Sequence, residues 1–293
     1  MSVKIIVDTS SQYTKQTAEN QDICVIPMPV ISHESSKELF SGDISCEDFY
    51  NNMLDGKVYT TAHVALSIYL EYFEKFYEQK QEAIYFCLSS GLTSSYNTSL
   101  IAINELNEKY GRQYVYSYDT KAATAGIDLM VSYVQKGIKK GYNVQRLIEI
   151  ADDVKKNIRM YLCVSDLKYL YRGGRISKTS AFVGNALSLR LIIELNPKNG
   201  KLELLDKVRG TKKLTKKLAE IAKQDCEGNK PVTPMFLCYC KESQMFDEIK
   251  QMYMQEYNLS ENDLIIGPTC IIIGAHTGPG SAYIFYLKKE III

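Results

Sequence analysis

Four places in this chain carry side chains able to hold an anion or move a proton. The densest is 87–99, Cys-Leu-Ser-Ser-Gly-Leu-Thr-Ser-Ser-Tyr-Asn-Thr-Ser, with hydroxyls at Ser89, Ser90, Thr93, Ser94 and Ser95. An apolar run at 83–88 reads as a buried strand, and Ile101, Leu106 and Tyr110 begin to fall at helical spacing. A hydroxyl-rich turn from strand to helix presents unpaired N–H groups and the positive end of a helix dipole. A carboxylate or phosphate can rest there without a metal. The competing reading is that these hydroxyls only cap the helix. His276 follows an apolar run and precedes Thr277-Gly278-Pro279-Gly280, where it can donate a hydrogen bond near neutral pH or merely satisfy its own loop. Arg175, freed by Gly173 and Gly174, is either an anion or partner contact or a surface arginine. Thr61, in Tyr59-Thr60-Thr61-Ala62-His63, precedes an amphipathic helix.

Several chemistries are excluded by spacing. No G-x-x-x-x-G-K-[ST] is present, and no G-x-G-x-x-G follows the first strand. The nucleophile elbow G-x-S-x-G is missing because Ser94 is followed by Ser95 and Tyr96. Ser94, His276 and Asp8 supply the residue types of a triad, which only geometry can establish. Cys238 and Cys240 lack a second pair to complete a zinc site. With 35 basic against 34 acidic residues, no global field favours nucleic acid or an anionic membrane. No apolar run approaches the roughly 20 residues a bilayer span needs, and the N-terminus lacks a long apolar signal core. The eight cysteines are scattered, several inside apolar runs, which reads as reduced, buried thiols in a cytosolic protein.

The elements that must position these groups alternate. Strands are expected at 4–7, 83–88 and 114–118, each ending in a polar loop. The apolar run at 23–31 is demoted to an edge or irregular strand by Pro27 and Pro29. Helices are expected at 47–54, from Leu66 to Tyr77, after Ser95, at 122–140 and at 143–157. This pattern predicts a mostly parallel sheet with helices on both faces. Ligands then sit beyond the carboxyl ends of the strands, where Asp8, Thr61, Thr93 and Asp119 would gather. Further along, strands are expected at 161–164, 191–195, 202–205, 235–240, 270–274 and 282–287, the third pairing with the second as a hairpin. Helices are expected at 167–171, 178–188, after a Thr211 cap, and at 243–256, with a turn at 275–280. A domain boundary is placed near 158, giving 1–158 and 159–293. The lysines at 212, 213, 216 and 217 form a stripe that is either a solvated helix face or a contact for an acidic partner.

Taken together, the motifs resemble the DegV family of fatty-acid-binding proteins that serve bacterial fatty acid kinase. They are Val7-Asp8-Thr9-Ser10, Thr60-Thr61, Ser89-Ser90-Gly91-Leu92-Thr93-Ser94-Ser95-Tyr96 and Asp119-Thr120, then Leu170-Tyr171-Arg172-Gly173-Gly174-Arg175-Ile176-Ser177 and Gly274-Ala275-His276-Thr277-Gly278-Pro279-Gly280. They occur in order across almost the whole chain. The resemblance implies two α/β domains with a ligand tunnel between them, the first holding the head group and the second the acyl tail. It implies a fatty acid whose carboxylate meets Thr61, Thr93 and Ser94 near His276 and Thr277, with Arg175 related to the partner or to phosphoryl transfer. Where the family commonly reads Thr-Ser-Gln-Pro, this chain has Thr61-Ala62-His63-Val64; where it reads Ser-Gly-Thr-Tyr, this chain has Thr93-Ser94-Ser95-Tyr96. The expected protein is a cytoplasmic monomer, not an enzyme by itself. It would hand a long-chain fatty acid to a separate kinase subunit in phospholipid metabolism, with no cofactor, metal or nucleic acid. The alternative is a small hydrolase or transferase using Ser94 or His276.

Overall fold

The computed structural model describes residues 2–176 and 188–293. Lys4–Asp8 (β1), Ile23–Ile26 (β2), Ala83–Cys87 (β6) and Val115–Asp119 (β7) form a parallel sheet in the order β2-β1-β6-β7. All five residues of β6 are buried, as a strand covered on both faces must be. Parallel neighbours need crossovers, supplied here by Leu66–Glu78 (α3), Ser95–Tyr110 (α4) and other helices. Buried Tyr69 of α3 bonds Tyr85 of β6 at 2.9 Å, and the Tyr85 hydroxyl donates to Asp8 at 2.7 Å. This chain of bonds ties helix, strand and first loop together. A small antiparallel sheet joins Val30–Ser32 (β3), Glu38–Leu39 (β4) and Tyr59–Thr61 (β5).

The second sheet begins at Ile158. Its strands are Ile158–Val164 (β8), Leu189–Leu195 (β9), Leu202–Arg209 (β10), Val232–Tyr239 (β11), Leu264–Pro268 (β12) and Ala282–Leu287 (β13), in the order β10-β9-β8-β13-β11-β12. Only β11 and β12 pair in parallel; the other neighbours are antiparallel. Side chains alternate across a strand. Met160, Leu162, Tyr283 and Phe285 therefore join an apolar core shared with the first sheet. Tyr161, Cys163, Ile284 and Tyr286 pack on the other face, under Thr211–Asp225 (α8) and Gln244–Glu256 (α9). Ala125–Lys139 (α5) touches β6 of the first sheet and β11 of the second, and packs beside Val144–Asn157 (α6). The halves meet through shared core side chains and through hydrogen bonds such as Thr61 to His276 and Ser89 to Gly200.

Three local expectations are corrected. The run 270–274 is not a strand: Ile271–Thr277 is a helix (α10), buried at six of its seven residues. An apolar run this short has no periodicity to separate a buried helix from a strand. His276 consequently stands in the last turn of a helix, and the turn is confined to 278–280. The run at 23–31 is an edge strand interrupted by its prolines, as expected: it splits at Pro27 and Pro29 into β2, at the edge of the parallel sheet, and β3 in the small sheet. Thr211 is the first residue of α8, and Gly210 occupies the cap position. Strand β12 was not anticipated. The helix expected at 178–188 lies outside the described residues except for Ser188.

Candidate functional site

The carboxyl ends of β1 and β6 do not leave all their polar groups free. Asp8 accepts from Ser10 N–H at 3.0 Å, the Ser10 hydroxyl, Tyr85 and Leu88 N–H, and lies wholly buried. Ser89 donates to Gly200 O at 2.8 Å, which fastens the β9–β10 turn to this loop. Ser90 donates to Asp119 at 2.5 Å, with Lys121 at 2.7 Å from the same carboxylate. Burial pushes the Asp119 pKa up, but Lys121 and Ser90 outweigh it and hold the group ionised below its usual range. Ser95 is shared with Thr93 at 3.1 Å. The expected gathering is therefore only half realised. Asp8 and Asp119 build the loop, while Thr61 and Thr93 reach open space.

That space is an apolar cavity of about 750 Å³, part of it open to solvent, between the loops of the first sheet and the inner face of the second. Met160, Leu162, Leu195 and Phe285 form the floor, while Leu88, Leu92 and Ala123 form the opposite wall. Ile272, Ile273, His276 and Thr277 of α10 complete it. A second, more polar hollow shares Thr61, His63, Thr93 and Arg175 with this cavity and adds Ser90, Ser94 and Asn97. It forms the mouth. Ser94 is exposed and belongs to the mouth alone.

His276 closes the inner side of the mouth. Its Nε2 lies 2.7 Å from Thr61 Oγ1. Burial, and then the charges of Arg175 and Arg172, push its pKa down to about 3, so the ring is neutral at physiological pH. Two motif glycines explain how the ring fits. A Cβ at Gly173 would lie 2.1 Å from His276 Nδ1, and one at Gly278 2.2 Å from the Tyr169 ring. Helix α10 thus crosses Lys168–Arg172 (α7) at a distance only glycine permits, a packing role beside any ligand role. Arg175 is half-buried, and its guanidinium donates to Leu92 O at 3.3 Å and to Gly173 O. Burial lowers its pKa, and among the described residues it meets no carboxylate. Thr277 lines the cavity, but its hydroxyl is committed to Tyr283 and to Ile273 O at 3.2 Å.

No Ser94–His276–Asp8 triad is assembled: His276 is bonded to Thr61, and Asp8 is saturated elsewhere. Among the described residues no group of three or more His, Cys, Asp or Glu is placed to hold a metal. Sequence reasoning missed the apolar lining from β8 and β13. Its signal was the strand alternation at 158–164 and 282–287.

Comparison with known proteins agrees with this architecture. The family model described as uncharacterised protein, DegV family, matches residues 2–289. The chain belongs to the DegV family. A DegV domain-containing protein of Clostridium perfringens is 29% identical over 285 residues, 97% of this chain and 96% of its own. Among solved structures, a DegV lipid binding protein from Thermotoga maritima matches with a TM-score of 0.82 at 25% identity, covering 99% of this chain and 100% of that one. The Fak B3 protein of Streptococcus pneumoniae fatty acid kinase, loaded with linoleic acid, matches with a TM-score of 0.83 at 18% identity, over 99% and 100%. This DegV chain has the fold of both, with Ala62-His63 and Ser94 standing at its mouth.

Proposed function

We propose that this protein binds a long-chain fatty acid and presents its carboxylate to a separate kinase subunit, without being an enzyme alone. The observation that carries the reading is the pairing of an apolar cavity with a mouth lined by hydroxyls and an arginine that meets no carboxylate among the described residues. Each methylene taken from water contributes about 0.8 kcal/mol, so a dozen carbons supply roughly 10 kcal/mol. A carboxylate beside that wall costs several kcal/mol unless donors meet it. Thr61 and Thr93 are the donors, with Ser94 at the rim. In its Nε2–H tautomer, neutral His276 donates to Thr61 Oγ1 and leaves the Thr61 hydroxyl hydrogen free for the anion. Arg175 lines cavity and mouth alike, where it would meet an arriving phosphoryl group. His276 fixes the donor geometry, and Thr277 contributes wall rather than donor.

Relatives support the reading: the T. maritima protein is described as lipid binding, and the S. pneumoniae one as part of fatty acid kinase holding linoleic acid. Residues 1–158 would carry the head group and 159–293 most of the tail, in a cytoplasmic monomer. Among the described residues no helix is long and apolar enough to cross a membrane. The test is solvent extraction of the purified protein followed by mass spectrometry. A stoichiometric long-chain fatty acid is expected; an empty protein that fails to take one up would end the proposal.

A further inference from the structure

A second cleft, sharing no lining residue with the acyl cavity, lies between the loop after β1, α5 and the edge strand β12. It encloses about 1270 Å³, part of it open to solvent. Ile44, Phe236, Ile265, Ile266 and Ile271 make it apolar. Ile265 and Ile266 remain 45% and 40% exposed, apolar area that an occupant could cover. One acid stands in it. Asp128 accepts the Gln12 N–H at 3.2 Å through Oδ1. Oδ2 has no partner among the described residues, yet it is not one of the sealed polar atoms left without one, so it opens onto the cleft. The same holds for the Tyr13 hydroxyl.

The surrounding polar groups are already used. The Gln12 amide donates to Pro268 O and accepts from Cys270 N–H at 3.0 Å, while Thr14 and Thr17 cap each other. Every other titratable group on the lining, Tyr13, Cys46, Cys238 and Cys270, is pushed up by burial first and stays neutral. Among the described residues, Asp128 is thus the only acid facing the cleft, and no lysine or arginine lines it. A carboxylate against apolar walls without a counter-charge is costly, and a bound cation would offset that cost.

We propose that this cleft is a second ligand site, taking a small molecule with an apolar body and a single amine, its ammonium on Asp128 Oδ2 and its body against Ile265 and Ile266. The inference is independent of the acyl reading. Burial raises the Asp128 pKa to about 7, so an ammonium must displace a proton below that pH. Affinity then falls roughly tenfold for each pH unit below the carboxyl pKa and levels off above it.

The test titrates 2-phenylethylamine, and the isosteric 2-phenylethanol, into protein labelled at isoleucine methyls and read by NMR. Shifts are expected at Ile44, Ile265, Ile266 and Ile271, with Ile272 and Ile273 of the acyl cavity unmoved. The amine should bind at least about tenfold tighter than the alcohol, and about tenfold tighter near pH 8 than near pH 6. Asp128→Asn should abolish both differences while the Ile272 and Ile273 signals keep their native positions. Equal binding of amine and alcohol, persistence of the preference in Asp128→Asn, or no shift at the four cleft isoleucines overturns the proposal. If Asp128→Asn loses the native spectrum, the wild-type amine-to-alcohol ratio and its pH dependence decide alone.

Discussion

Ala123 offers the sharpest test of where the acyl tail lies. It is buried on the cavity wall, and it precedes Thr124 at the start of α5. Ala123→Leu adds three carbons to that wall. If the tail fills the cavity, about three methylenes must leave it, at about 0.8 kcal/mol each. The loss is about 2.4 kcal/mol, or roughly 50-fold in Kd. It should fall only on ligands long enough to reach Ala123. The assay is displacement of a fluorescent fatty acid by a saturated series of increasing length, with the optimum expected to shift about three carbons shorter. Leu162→Ala, on the facing floor, should shift it longer while costing about 2–5 kcal/mol of stability. Overpacking alone would cost stability without length dependence, so thermal unfolding is followed in parallel. A uniform loss across all lengths, or no loss, would show that the tail does not run past Ala123.

Thr93→Val keeps the shape of the mouth and removes one donor, so affinity should drop about 1.5–3 kcal/mol with the fold unchanged; unchanged displacement would remove Thr93 from the head-group site. Arg175→Ala should spare lipid binding and slow acyl phosphorylation by an added kinase subunit, and equal loss of both would place Arg175 in the pocket instead. Asp128 titrates near 7 in the fold against about 3.9 unfolded, so the folded state holds its proton longer and stability falls as pH rises between these values. Asp128→Asn should remove that slope, gaining up to about 4 kcal/mol relative to wild type between about pH 4 and pH 8 in urea unfolding; an equal offset at both ends would show that Asp128 does not titrate in this range.

Much of the architecture was legible because parallel strands and amphipathic helices obey different periods. The run 83–88, Leu66 to Tyr77 and the hairpin at 191–205 read correctly because each is long or bounded by turn residues. Helix α10 did not, since Ile271–Thr277 is buried nearly all round and carries no alternation. Within the hydroxyl cluster at 89–95, Ser89 and Ser90 are bonded inside the fold, while Thr93 and Ser94 line the mouth. Hydrogen bonding is decided by three-dimensional neighbours: Ser89 meets Gly200, 111 positions away, and no local pattern announces that. Thr61 and His276, 215 positions apart, were linked by resemblance and joined only by the fold.

The mouth combines two kinds of donor, and the combination has a chemical consequence. Neutral groups, Thr61, Thr93 and an uncharged His276, line the cavity together with the guanidinium of Arg175. A carboxylate bonded to an arginine is stabilised strongly, and its oxygen gives up electron density reluctantly. One held by hydroxyls keeps more of its nucleophilic character while remaining fixed in direction. On the proposed reading, a phosphoryl group brought to the mouth would add negative charge beside the Arg175 guanidinium. A bound carboxylate would also oppose the burial and the arginine charges that keep His276 neutral, raising its pKa. Thr61 and Thr93, from two separate elements, would then orient the carboxylate, and Arg175 would neutralise what is added to it.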